Sequence, residues 1–114
     1  MSLEFWEYLQ RLVDSSHIVL DRPIGSTHPR YRKQPYPVGY GYLEGTTAID
    51  SGGVDIWVGS LNEKKVVGAL CTVDLLKRDT ELKIVCDCTE DEIKAILSFV
   101  NSGQMRAKFI YRDA

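Results

Sequence analysis

Long apolar runs are missing from this 114-residue sequence. No stretch of about 18 apolar residues occurs, which excludes a helical membrane span within it. Cysteine is scarce and odd in number, with Cys71, Cys86 and Cys88 the only three. That count excludes a fully paired disulfide framework, and a lone C-x-C offers too few ligands for a structural zinc site. Reduced thiols at strand ends are the expected state, with a redox or metal pair at Cys86 and Cys88 as the alternative. An excess of one charge sign is lacking too. Fourteen Lys and Arg stand against sixteen Asp and Glu, giving a formal charge of −2. No global basic field is available to attract nucleic acid or an anionic membrane, so any anion binding must be local. The N-terminus lacks a basic segment leading into an apolar stretch and a small-residue cleavage site, and the expected location is the cytoplasm. Internal repeats and low-complexity tracts are also absent. What remains is an ordinary globular composition, 44% hydrophobic and 26% charged. At this length it supports one core and a single domain over residues 1–114.

Along the chain, residues 3–13 place Phe5, Leu9 and Leu12 at helical spacing with Trp6 and Val13 beside them, which predicts an amphipathic helix. Residues 17–20 read as a short strand stopped by Asp21-Arg22-Pro23. Residues 23–37 are rich in turn signals and keep no periodicity, so a long loop is expected, flanked by Arg22 and carrying Arg30, Arg32 and Lys33. It is either a functional loop or a solvated basic one. Residues 54–58 alternate, with Asp55 and Trp57 expected outward, and residues 65–76 form a longer β-branched run reached through the turn Asn62-Glu63-Lys64. A further strand is expected over residues 82–85 after a charged turn. Thr89 then stands three residues before Glu92, the spacing of a capping box, and Ile93, Ile96, Leu97 and Val100 form a helical stripe that ends near Asn101-Ser102-Gly103. Residues 105–111 alternate as a closing strand. Short strands with a helix near each end imply an α+β class, mainly β, built as a small antiparallel barrel or strongly curved sheet with the helices packed on it.

Chemistry-bearing residues concentrate in residues 36–59, YPVGYGYLEGTTAIDSGGVDIWVG. Asp50 and Asp55 flank a glycine-rich turn, where two carboxylates can converge on an oxygen-seeking cation such as Mg²⁺. Tyr36 and Tyr40, four residues apart, can offer hydroxyls to an anion. A second cluster holds Asp79, Glu81 and Lys83, and the two-residue period of a strand sets Glu81 and Lys83 on one face. A carboxylate beside an ammonium suits a site that holds both a metal ion and a phosphate. Each cluster alone also has an ordinary reading as a turn or a solvated charged loop; their conjunction points to chemistry.

Taken in order, Tyr36-Pro37, Tyr40-Gly41-Tyr42 and the D-S-G-G-V-D run at Asp50 to Asp55 resemble the soluble (family I) inorganic pyrophosphatases. The resemblance extends more loosely to Asp21 in IVLDRP and to Asp79, Glu81 and Lys83, covering roughly residues 17 to 85. It implies a five-stranded OB-like antiparallel barrel whose mouth binds Mg²⁺, or Mn²⁺, and pyrophosphate, and whose reaction is hydrolysis of the phosphate anhydride by metal-activated water. Carried over residue by residue, Asp50, Asp55, Asp79 and Glu81 would be metal ligands. Arg30, Tyr36 and Lys83 would bind substrate, and Asp50, Asp55 and Tyr40 would serve catalysis. Pyrophosphate or another small phosphate compound is the implied partner, with no nucleic acid and no membrane; related enzymes commonly form homo-oligomers.

The sequence also departs from that family's pattern. The middle aspartate of its motif, which sits against the nucleophilic water, is Gly52 here, and Ser51 replaces a glycine. An acidic position near Arg32 has become basic, and a late tyrosine-lysine step aligns with Val100-Asn101. Fewer carboxylates hold a divalent ion less tightly. The expected outcome is a reduced magnesium-dependent phosphohydrolase, the alternative a protein that binds phosphate or metal without turnover. A third expectation, from a different class, is a single-strand nucleic-acid platform built from Tyr40, Tyr42, Trp57 and the loop arginines, against which the acidic charge balance argues.

Overall fold

The computed structural model describes residues 2–28, 34–48 and 52–112. Helix α1 (Ser2–Asp14) leads into β1 (Ile18–Arg22) and β2 (Gly39–Leu43). Strands β3 (Val54–Val58), β4 (Val66–Asp74) and β5 (Asp79–Cys86) follow, then helix α2 (Glu90–Val100) and β6 (Met105–Tyr111). The α+β, mainly β class and the OB-like fold stand.

The strands form one sheet in the order β1-β2-β3-β5-β4-β6. Two details differ from the expected five-stranded antiparallel barrel. The sheet has six strands rather than five, and the expected closing strand, β6, pairs along the outer side of β4 from Gly68–Tyr111 to Asp74–Met105, with no β6–β1 pairing to close the sheet among the described residues. The β3–β5 pair is parallel, because β4 and β5 form an antiparallel hairpin and the returning strand, β5, is the one that docks on β3. Strand β5 begins three residues earlier than the apolar run suggests. Its first half pairs in full with β4, from Thr72–Glu81 to Asp74–Asp79, so ladder hydrogen bonds carry charged residues into the strand.

Each helix covers one face of the sheet, and the two-residue alternation of the strands sorts side chains between two cores. Under α1 lie Leu43, Ile56, Val66, Ala69, Ile84 and Cys86 with Trp6 and Val13. Under α2 lie Trp57, Leu70 and Val85 with Ile93, Ile96, Phe99 and Val100. Burying one such large side chain contributes about 1.5–3 kcal/mol. Trp57, expected outward, is therefore an inward residue, only 2% exposed. A half-buried strand was the wrong template for β3, since both of its faces are covered. The buried edge of α1 likewise runs through Trp6 and Val13, leaving Phe5 and Leu12 at its exposed margin. Gln10 fixes that docking: its Oε1 accepts from Val66 N at 2.9 Å and from Arg112 Nη1 at 2.8 Å. Helix α2 carries the full capping box, with Glu92 N donating to Thr89 Oγ1 and Thr89 N donating to Glu92 Oε1.

The middle of the Tyr40-Gly41-Tyr42 run has a steric cause. A Cβ at Gly41 would overlap the Val19 carbonyl oxygen of β1, so only glycine lets the two backbones approach there. The flanking Tyr40 is thereby left to the α2 face, where it packs against that core.

Candidate functional site

Strand register assembles the candidate site on the α2 face. Strands β2 and β3 set Tyr40 opposite Trp57, and the parallel β3–β5 pair sets Ile56 opposite Ile84 and Trp57 opposite Val85. One step earlier on both strands, Asp55 and Lys83 become neighbours. Lys83 Nζ donates to Tyr40 Oη at 2.6 Å and to Asp55 Oδ2 at 3.0 Å, and lies 3.6 Å from Glu81 Oε1. Glu81 shares the face of Lys83, as the strand period predicts. The Lys83 side chain is 13% exposed and Asp55 and Glu81 are 26% and 19%, so the group is half-buried yet open to a ligand.

Protonation follows from these contacts. Burial pushes the Tyr40 phenol up, Lys83 pulls it back and Asp55 raises it further; the net shift is upward and the phenol stays neutral. Burial alone would lower the Lys83 ammonium, but the Tyr40 oxygen and the Asp55 carboxylate more than offset it, so its pKa is raised and the charge persists. At neutral pH the site thus holds a fixed ammonium, a phenol and two acidic side chains.

Beside Lys83 opens a cleft of about 180 Å³. Arg22, Asp21 and His28 border it on one side, and Tyr36, Tyr40, Trp57 and Phe99 form its aromatic wall. The rings of Tyr36 and Tyr40 stack at 5.7 Å, and Tyr40 lies 4.5 Å from Trp57 between centroids. Tyr36 is held in place by its backbone, since its N–H donates to the Ser26 carbonyl at 2.7 Å and its carbonyl accepts from Gly25 N–H at 2.9 Å. The Arg22–Asp21 pair is long, 3.9 Å, and water-exposed, so the guanidinium is weakly committed.

Of the residues singled out from sequence, Tyr36, Tyr40, Asp55, Glu81 and Lys83 come together. Asp79 stands two residues before Glu81 at the start of β5, paired in register with Asp74 and outside the ion pairs around Lys83. Asp50 and Arg30 lie outside the described residues. Gly52 is described, and its carbonyl accepts from Ala48 N at 2.7 Å. Sequence reasoning missed His28, Phe99 and Met105, which border the cleft. Phe99 had a signal, because it shares the apolar face of α2 with Ile96 and Val100; His28 had none. Of the residues expected in a stacking platform, Trp57 is enclosed by Tyr36, Tyr40 and Phe99, and Arg30 and Arg32 lie outside the described residues. Cys86 and Cys88 are free and buried, and burial pushes both thiols up to about 12, which keeps them protonated and poorly reactive.

The implied Mg²⁺ can be tested on the donor set. A divalent cation of this kind takes about six oxygen ligands, some of them carboxylate. Among the described residues no three His, Cys, Asp or Glu side chains gather to hold a metal ion. Asp55 and Glu81 both face the Lys83 ammonium, which already supplies the positive charge between them, and Asp21, the carboxylate that borders the cleft, lies 3.9 Å from the Arg22 guanidinium. The described donors do not fit a resident Mg²⁺.

No family model matches the chain, and no curated protein matches it. Solved structures do. An inorganic pyrophosphatase from Neisseria gonorrhoeae superposes with a TM-score of 0.63 at 18% identity, covering 89% of this chain and 86% of that one. One from Coxiella burnetii gives 0.62 at 14% identity, with 85% and 86% covered. One from Helicobacter pylori gives 0.55 at 18%, with 86% and 78% covered. The chain has the soluble inorganic pyrophosphatase fold. At such identity the likeness extends to the path of the chain, and the chemistry at the mouth of this pyrophosphatase fold must be argued from its own side chains. No helix among the described residues is long and apolar enough to cross a membrane.

Proposed function

We propose that this protein binds inorganic pyrophosphate, or a related small phosphate anhydride, as its magnesium or manganese complex in the Lys83 cleft, and hydrolyses it slowly. The observation that carries the reading is Lys83 itself. It is a charged ammonium held by Tyr40 and Asp55 at the edge of an anion-sized cleft, within a pyrophosphatase fold. Size supports the same ligand. Drug-sized molecules ask for roughly 300–1,000 Å³, and a cleft of about 180 Å³ suits a pyrophosphate better than a nucleotide.

In this reading Lys83 and Arg22 meet the phosphate oxygens. Tyr40 positions Lys83, and the aromatic wall excludes water from one side of the anion. Arg30 would add a second guanidinium, and Asp50 and Asp79 would add further acidic groups. Divalent metal enters with the anion as part of the substrate. With Gly52 where the resemblance calls for an aspartate, no side chain at that position can take a proton from the attacking water. Loss of such a base lowers rates by about 10²- to 10⁴-fold. A second reading, binding without turnover, is favoured by the commitment of both Asp55 and Glu81 to Lys83.

Calorimetric titration of the purified chain with pyrophosphate, with and without Mg²⁺, tests the binding step; release of phosphate tests the chemistry. Saturable binding with slow, metal-dependent release is the expected outcome. Binding without release selects the second reading, and no binding under Mg²⁺ or Mn²⁺ rejects both.

A further inference from the structure

Helix α1 covers only part of its face of the sheet. It packs over Val66, Ala69 and Ile84. From there the two-residue period carries the same face on to Cys71 and Val73 of β4, Leu82 of β5, and Arg106, Lys108 and Ile110 of β6. On this half the sheet is bare. Val73, Leu82 and Ile110 are each nearly half exposed, and a shallow hollow of about 570 Å³ runs across the three strands. Its charge is of one sign. Arg106 and Lys108 stand on it, exposed, whereas Asp74, Asp79 and Glu81, the acidic residues of these strands, alternate to the opposite face. An exposed apolar patch with a charged rim marks an interaction surface, and this one fits an acidic, apolar partner.

The same side of the molecule carries such a surface. Along α1, Phe5, Tyr8 and Leu12 are exposed at helical spacing, so they form one apolar stripe on the helix. Glu4 and Glu7 accompany it, and with Asp14 against a single basic residue, Arg11, the helix is net acidic. Arg11 is drawn over the Tyr8 ring, 5.0 Å from its centroid. We infer that the chain associates with a second copy of itself, the α1 stripe of each copy lying in the bare half-sheet of the other. Phe5, Tyr8 and Leu12 then meet Val73, Leu82 and Ile110, and Glu4 and Glu7 meet Arg106 and Lys108. A second copy is the occupant because one chain carries both halves of the contact, each matched to the other in charge. Each copy gives one helix and receives one, so a two-fold axis forms both contacts together and closes the pair. The apolar residues supply affinity, and the charges fix partner and register. The Lys83 cleft lies on the other face of the sheet, so the pairing does not depend on what that cleft binds.

A charge exchange tests it, read by sedimentation velocity under reducing conditions so that Cys71 cannot cross-link the copies. The wild-type chain should sediment as a dimer in concentration-dependent equilibrium with monomer. One variant carries Glu4→Arg with Glu7→Arg, the other Arg106→Glu with Lys108→Glu. Each sets like charges against one another in both contacts and should weaken self-association about 10-fold or more. Mixed in equal amounts, the two variants should recover it, because both contacts of the mixed pair again join opposite charges. Tyr8→Glu, a single change at an exposed position, places a charge within the apolar contact and should also dissociate the pair, which keeps the test open if a double variant fails to fold. A wild-type chain that stays monomeric at every concentration at which it remains dissolved overturns the proposal and assigns the bare half-sheet to another occupant. A dimer that folded variants leave undiminished, or weakened variants that do not recover on mixing, overturns it as well.

Discussion

The two faces of the sheet use the same strands for different ends. Beneath α1, β3 and β5 supply Ile56, Ile84 and Cys86, and the core there is aliphatic apart from Trp6. Beneath α2, the intervening residues of the same strands are Asp55, Trp57, Glu81, Lys83 and Val85, so an aromatic core grades into a charged cleft. One face can therefore be packed for stability without polar compromise. The other accepts half-buried charges and an unpaired indole, which cost stability and which a purely structural core would leave out. Adjacent residues of a single strand fall on opposite sides of that division. This is what makes the division testable.

The widest separation between the faces should come from Ile84→Ala. It empties a fully buried position beneath α1 and should cost about 2–5 kcal/mol in urea unfolding. Pyrophosphate affinity of the folded fraction should stay at the wild-type level. Lys83→Met, one residue away on the opposite face, should reverse the pattern. Affinity should fall about 10- to 100-fold, as expected for a lost hydrogen bond to a charged group. Stability should fall by less than in Ile84→Ala, because Asp55 and Glu81 remain partly exposed to water. If both variants lose affinity and stability together, the faces are not separable and the comparison fails.

The smallest effect sharpens the boundary at the start of α2. Burial alone would raise the Glu92 carboxyl, but hydrogen bonds from the Thr89 and Ser60 backbones hold it below its ordinary value. A depressed carboxyl stabilises the fold above its unfolded pKa, about 4.3, and that contribution is lost as pH falls through the folded value. Glu92→Gln keeps the shape of the capping box and removes the charge. It should lower stability at pH 7 by about 0.5–1 kcal/mol, with the gap from wild type closing in acid. A gap that persists at low pH would mean that the charge contributes nothing.

Much of the fold was legible because local physics dictated it. Thr89 and Glu92 three residues apart can satisfy each other's backbone N–H groups, so the start of α2 could be located from two letters. The alternation over residues 105–111 gave β6 its bounds. The site was legible only in part. Glu81 and Lys83 were placed on one face by the strand period, but Trp57 was assigned to solvent because periodicity reports that two faces differ, not that both are covered. His28 and Met105 belong to segments far apart in sequence, and nothing local in either announces a cleft.

What the sequence determined by itself was therefore everything that depends on neighbours within a few residues: helix caps, strand periods, turns, and the absence of a charge field or disulfide frame. Only the tertiary structure decided which carboxylates meet Lys83, that Trp57 is enclosed with an unpaired N–H, and that β5 lies parallel to β3. Those facts depend on how the β4–β5 hairpin docks across the sheet. The register of strands distant in sequence is chosen by the summed packing of two cores.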